Sequence, residues 1–283
     1  AMAANTTGQG NVAIGGSVLC DNTTGSTNIA IGCAAMQENV SCGVNVGIGF
    51  CALFKNNGAY NNAVGNQVLK SNTTGYENTG MGTMALCANT TGYANTAFGV
   101  QAGDSVTTGS TGTYVGGYSG QSVTTGNGTY IGKNAGYNAT TGVNNVAVGL
   151  SAGNDIFNIT TESNRIVLSN NSATNAYVKV SWTVTSDLRD KTEIENVPHG
   201  LEFVDKLKPV SFKFKKSRED DTPTGTKHYG FLAQDILELE GSDNVIIDNE
   251  QPNHLKYKGE HLVPVLVNAI QELKAEIDEL KKG

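Results

Sequence analysis

Proline is absent from the first 185 of the 283 residues, and charge nearly so, with 6 acidic and 5 basic side chains in that stretch. The whole chain has one tryptophan, and no apolar run approaches the ~18 residues that a membrane-spanning helix needs. No basic-then-apolar segment opens the sequence, so neither a secretory signal nor a membrane partner is expected. Basic residues number 19 against 26 acidic ones, a net charge of −7, which argues against nucleic acid as a partner. The five cysteines (20, 33, 42, 51 and 87) are odd in number and irregular in spacing, with no histidine nearby. That pattern supports neither a disulfide framework nor a zinc site. Free thiols, buried or half-buried, are expected, together with assembly in a reducing cytoplasm and no metal or other cofactor. Disorder is excluded as well, because 38% of the residues are apolar and only 16% charged.

What is present divides in two. Residues 1–185 hold 29 of the 35 glycines, whereas residues 186–283 hold all five prolines, all four histidines and 34 charges (20 acidic, 14 basic). So sharp a change marks a domain boundary near 175–190. We read residues 1–175 as a repetitive domain, 176–185 as a connecting strand (Tyr177–Val184 alternates) and 186–283 as a second domain.

The first part repeats Asn-Thr-Thr-Gly-x-x-Asn-x-Ala-x-Gly, as at residues 22–32, 72–82 and 89–99. The last glycine of the unit falls at Gly15, Gly32, Gly49, Gly65, Gly82, Gly99, Gly116, Gly132 and Gly149, nine copies spaced 16 or 17 residues apart. A helical-pair repeat needs over ~30 residues, so the unit predicts one coil of a β-solenoid. Ile29 and Ile31 alternate with Ala30 as in a strand, and Thr-Thr-Gly is turn chemistry in which glycine supplies a positive φ. The absence of proline fits, since each coil needs its ladder donors. The fold class expected is mainly β: a 17-residue-repeat β-solenoid or β-roll with a slender core of Ile, Val, Leu and Ala. A core so thin predicts that several identical chains pack side by side and bury the remaining apolar stripe. Asn22, Asn72, Asn89 and Asn138 match the glycosylation acceptor pattern, but as by-products of the turn motif. The unit resembles the β-roll heads of trimeric autotransporter adhesins and related repeats of viral fibres.

The second part reads as α+β. A short helix is expected at 199–207, a strand at 210–215, a loop at 218–227, a strand end entering a helix at 229–239, and short strands at 245–248 and 255–258. A long helix starts near Pro264, a residue suited to a first helical turn. In it Val263, Leu266, Ile270, Leu273, Ile277 and Leu280 are spaced 3, 4, 3, 4, 3. That is a coiled-coil seam under three heptads long, leaning towards two strands by its β-branched a and Leu d positions. The same spacing fits an amphipathic helix packed on its own domain. The three histidines at 228, 254 and 261 match no common ligand spacing.

Ser186-Asp187-x-Arg189-x-Lys191, then 207–212 (LKPVSF), 229–235 (YGFLAQD), 255–257 (LKY) and the terminal Leu-rich helix occur in order. This series resembles the self-cleaving intramolecular chaperone domain at the C-termini of phage tailspikes and tail fibres, endosialidase tailspikes among them. The resemblance implies a homotrimer whose C-terminal domain guides the fibre to fold in register and then cuts itself off. It assigns Ser186 as nucleophile and Lys191 as its partner in a Ser-Lys dyad, with Thr185–Ser186 as the scissile bond and Ser186–Asp187 as the less favoured alternative. Asp187 either orients the dyad or caps the following turn. The function expected is therefore a virion tail-fibre or tailspike-type structural protein, assembled in the host cytoplasm, whose surface meets a host receptor or glycan. If it is an enzyme at all, it is a serine peptidase acting once on its own chain. The alternative is a non-cleaving trimeric surface adhesin that binds host glycans. A glycosidase in residues 1–185 would need paired carboxylates in a cleft, and the six acidic residues there are scattered singly.

Overall fold

A computed structural model describes residues 1–154, 159–173, 176–179 and 181–282. The chain forms two compact units, Ala1–Ala173 and Thr174–Gly283.

The first unit is a β-solenoid with one short strand per coil: β1 (Val12–Ile14), β2 (Ile29–Ile31), β3 (Val46–Ile48), β4 (Asn62–Val64), β5 (Thr79–Met81), β6 (Thr96–Phe98), β7 (Thr113–Val115), β8 (Gly128–Ile131), β9 (Asn145–Val148) and β10 (Ile166–Leu168). Each pairs in parallel with the next, giving one ten-stranded sheet in sequence order. The register repeats the sequence period, with Ala13 beside Ala30 and Ala97 beside Tyr114. Nine coils were expected and ten rungs form. The tenth escapes the repeat because Ser169 stands where the marker glycine would be, and because Ile166 pairs with Val146, 20 residues away.

A slender core forms as expected, and the strands each give only one of their faces to it. Their middle residue points inward and is small, with Ala30, Ala63 and Ala97 fully buried. Their larger β-branched residues face out, Ile14 and Ile29 both being exposed. The core comes instead from the segment after each marker glycine, where Val18, Leu19, Met36, Leu53, Leu69 and Leu86 are fully buried. The last strand residue is apolar in every rung (Ile14, Ile31, Ile48, Val64, Met81, Phe98, Val115, Ile131, Val148 and Leu168) and lies exposed or half-buried on the outer sheet face.

Glycine's role in the turn also differs from expectation. The glycine of Thr-Thr-Gly does not supply the positive φ; at Gly75 a Cβ would stand 2.3 Å from the Gly92 carbonyl oxygen of the next coil. Close backbone approach selects it. The marker glycines carry the positive φ, as at Gly99 (138°), and non-glycine residues such as Leu19 (47°) and Leu86 (51°) also adopt left-handed backbone. Left-handed geometry costs an L-residue about 1–2 kcal/mol, and inter-coil hydrogen bonds such as Leu86 N to Ala102 O (3.0 Å) offset it.

Two buried asparagine columns bind coil to coil. In the first, Asn22, Asn39, Asn56, Asn72 and Asn89 each donate through Nδ2 to Oδ1 of the asparagine one coil back, at 2.7–3.3 Å. In the second, Oδ1 of Asn28, Asn45, Asn61 and Asn78 accepts the backbone N–H of the next asparagine at 2.9–3.1 Å. Burial of Asn22, Asn72 and Asn89 at 0% exposure closes them to glycosylation. The first column ends at Val106, and Asn89 Oδ1 is left buried without a partner.

Beyond that point volumes exchange. Leucine gives way to Gly103 and Gly120, while the inward strand residue grows to Tyr114 and Tyr130, whose rings stack at 5.8 Å. A Cβ at Gly120 would lie 2.4 Å from the Tyr114 ring, so the tyrosines occupy the space that leucine fills elsewhere. All five cysteines are free, as expected, but Cys33 is exposed because it follows the marker glycine at the coil's outer corner. Burial raises the pKa of the Cys51 and Cys87 thiols above the usual range.

In the second unit α1 (Leu201–Lys206) precedes a hairpin of β11 (Val210–Lys215) and β12 (Pro223–Gly230), then α2 (Ala233–Glu240), the small pair β13 (Ile247–Asp248) and β14 (Lys256–Tyr257), a 3-10 turn (Gly259–His261) and α3 (Leu262–Leu280). The loop expected at 218–227 is shorter, because Pro223 opens β12, a position where its missing N–H costs no ladder bond. No strand forms among the described residues of 176–185. Tyr177, Val178, Trp182 and Val184 are exposed, with no neighbouring strand to supply ladder partners. The core joins Phe203, Ile236, Ile246, Ile247, Leu262 and Val265. None of the helices among the described residues is long and apolar enough to cross a membrane.

Candidate functional site

The segment 186–191 is one tight turn. Asp187 caps it, with extended backbone and Oδ1 accepting from Arg189 N at 2.9 Å. Leu188–Asp190 then forms a single 3-10 turn, and Lys191 closes it by donating its N–H to Leu188 O. This reversal brings the sixth residue back over the first: Lys191 Nζ lies 2.7 Å from Ser186 Oγ. The two residues that the resemblance pairs are thus in hydrogen-bond contact, with Thr185 immediately before them.

Asp187 is engaged by Arg189 through both carboxylate oxygens. Its Oδ2 receives Arg189 Nη2 at 2.6 Å and its Oδ1 receives Nε at 3.0 Å. The Arg189 guanidinium, and then the Arg189 backbone N–H, hold the Asp187 carboxyl below the usual carboxylate range. Of the two roles open to Asp187, the geometry is that of a cap. Gln234 is exposed on α2.

Thr185, Ser186, Asp187 and Lys191 are all exposed. A lysine accepts a proton only as the neutral amine, a form that desolvation or a neighbouring cation favours. In the isolated chain the amine stands in open water as a donor to the hydroxyl.

Along α3, two faces do different work. Leu262, Val265 and Ala269 are buried in the unit's core, and Asn268 Nδ2 donates to His199 O at 2.9 Å. Glu272 Oε2 accepts Leu201 N at 2.6 Å, capping the start of α1 from the neighbouring helix. The seam of Val263, Leu266, Ile270, Leu273, Ile277 and Leu280 lies on other faces and is 38–81% exposed. The helix therefore packs on its own domain and also leaves the heptad seam uncovered.

Sequence reasoning missed Glu240, a carboxylate 4% exposed at the end of α2. It accepts three backbone N–H groups, from Val245 (2.9 Å), Ile246 (2.6 Å) and Ile247 (2.9 Å), and so orders the approach to β13. Among the histidines, His199 stacks on Phe203 and His228 on Phe212. No group of three or more His, Cys, Asp or Glu able to hold a metal occurs among the described residues.

Residues 186–246 match the family model Peptidase_S74, described as chaperone of endosialidase. No curated protein and no solved structure gives a match. The match opens at Ser186, the residue whose hydroxyl contacts Lys191.

Proposed function

We propose that this chain is a tail-fibre or tailspike-type structural protein of a virus particle, in which residues 1–175 form the fibre, 176–185 connect, and 186–283 are an intramolecular chaperone. The chaperone gathers three chains through the uncovered α3 seam, holds their solenoids in register, and is released by cleavage at Thr185–Ser186. The surface left behind meets a host receptor or glycan. One observation carries the cleavage reading: the 2.7 Å contact between Lys191 Nζ and Ser186 Oγ, at the first residue of the chaperone-family match.

The chemistry balances with residues of this chain and water. Neutral Lys191 takes the Ser186 Oγ proton as the oxygen attacks the Thr185 carbonyl carbon. The C–N bond breaks, the freed Ser186 nitrogen takes up a proton, and Thr185 is left as an ester on Oγ. Water then hydrolyses the ester, yielding a Thr185 carboxylate and restoring the Ser186 hydroxyl. Assembly supplies what the exposed dyad lacks, because neighbouring chains that exclude water favour the neutral amine. Cleavage thus follows trimerisation.

Mass spectrometry of the purified protein, with light scattering on the same sample, tests this. Trimer is expected, with fragments 1–185 and 186–283 in the parent and only full-length chain in Ser186→Ala and Lys191→Ala. A verified trimer that stays full length on long incubation overturns the cleavage reading. An uncut trimer that binds host glycans would favour the adhesin instead.

A further inference from the structure

The outer face of the solenoid sheet carries an unbroken apolar column, one side chain per rung, that the single chain leaves uncovered. We propose that this column is the contact between copies of the fibre domain, packed in parallel and in register around a common axis. The inference rests on the reading of the chain as an oligomer and adds which face joins the copies.

Three observations point to a second copy rather than a foreign partner. The first is the extent of the column. It runs from Ile14 to Leu168 through all ten strands, roughly 43 Å at ~4.8 Å per strand. The two outward positions of a strand stand ~6.8 Å apart, two residues at ~3.4 Å each, so the outer strand face projects about 300 Å², within the size range of exposed apolar patches that mark interaction sites on monomers.

The second is charge. Neither outward position of any of the ten strands carries a charged residue, and the polar ones are Asn62, Thr79, Thr96, Thr113 and Thr129. When copies are related by rotation about an axis parallel to the solenoid, each residue meets its own counterpart at the same height. A charged column would repel itself in that arrangement, whereas an apolar one is self-complementary. The third is period. A partner that covers the whole column must itself repeat at the rung spacing, and another copy of this solenoid does so in every rung.

The largest members sit mid-column, Met81 and Phe98, 46% and 37% exposed. Elsewhere on the coil, Tyr76 and Tyr93 stack on each other at 5.0 Å on the turn surface and are exposed as well. They serve as the control surface.

Site-specific incorporation of the photo-crosslinking residue benzoylphenylalanine at Phe98, and separately at Tyr76, tests the inference on the full chain. Light scattering fixes the oligomeric state of each variant before irradiation. An oligomer is expected to give covalent dimer and trimer bands from position 98 and none from position 76. Mass spectrometry of the linked peptides should join position 98 to β5, β6 or β7 of the other copy. The same residue at Val115 repeats the test should the Phe98 variant not fold. An oligomer that crosslinks from position 76 but not from 98 or 115, or with peptides out of register, overturns this assignment and leaves the oligomer reading standing. A monomer overturns both.

Discussion

Asn78→Ala is the sharpest test of what holds the solenoid together. Asn78 is fully buried in the middle of the second asparagine column. Its Nδ2 donates to Asn61 Oδ1 (3.2 Å) and Gly92 O (2.8 Å), and its Oδ1 accepts from Asn95 N (3.0 Å) and Asn95 Nδ2 (3.1 Å). Alanine removes all four bonds. Gly92 O keeps Asn89 Nδ2, and Asn61 Oδ1 keeps the Asn78 backbone N–H. The Asn95 N–H loses its acceptor. At about 1 kcal/mol net for each of the four bonds, plus about 1–3 kcal/mol for one orphaned buried donor, the loss is about 5–7 kcal/mol. Hydrogen exchange read by mass spectrometry localises it. Amides of β5, β6 and their turns should exchange roughly 10⁴-fold faster, since each 1.4 kcal/mol is tenfold. Asn62→Ala is the control: Asn62 lies on the outer sheet face and is exposed, so its replacement should stay within about 0.5 kcal/mol. Asn78→Asp separates hydrogen bonding from packing, because it keeps the shape, loses the donor and buries a charge; it should be at least as damaging as alanine. Equal exchange in Asn78→Ala and Asn62→Ala would refute the reasoning, and a harmless Asn78→Asp would show that packing, not the ladder, sets rung stability.

Two further predictions concern residues with no place in the repeat consensus. The buried Tyr114 hydroxyl has no hydrogen-bond partner, so Tyr114→Phe should leave thermal stability unchanged or raised, while Tyr114→Ala, opening a hole beside Gly103 and Gly120, should cost about 3–5 kcal/mol. Glu240→Ala strips an acceptor from three buried backbone N–H groups and should destabilise the second unit by at least about 3 kcal/mol, read as a lower urea midpoint of the helical circular dichroism signal, with the solenoid's hydrogen exchange unaffected.

The solenoid was legible because its period is written in the turns, where backbone approach leaves no freedom of residue. Which strand face points inward was not, since Ile-Ala-Ile alternates equally well in either sense. The deciding fact lies outside the strand: Leu19 and its equivalents already fill the interior, which leaves room for Ala30 but not for isoleucine. The same competition for space explains the exchange at Tyr114, where glycine replaces the leucine and the strand residue enlarges. The tenth rung stayed hidden for a local reason, because Ser169 (φ 68°) takes a left-handed backbone that the pattern assigns to glycine.

The candidate site divides along the same line between local and distant causes. Ser186 and Lys191 meet through a turn of six consecutive residues with Asp187 as its cap, so their contact has a local cause. Glu240 and Glu272 act on backbone groups 5–7 and 71 residues away in the chain, as acceptors for 245–247 and for Leu201, and no spacing rule announces them. The remaining requirement of the proposed chemistry, a dry environment for Lys191, is not met among the described residues, where Ser186 and Lys191 are both exposed. Two apolar surfaces are also left open, the α3 seam and the outer column of the sheet. On the proposed reading, assembly would cover both apolar surfaces and dehydrate the Lys191 amine together, which ties the chemistry to the count of chains. On that reading assembly and cleavage share one cause, so a variant that keeps the Ser186–Lys191 contact but cannot associate should remain whole when weighed by mass spectrometry.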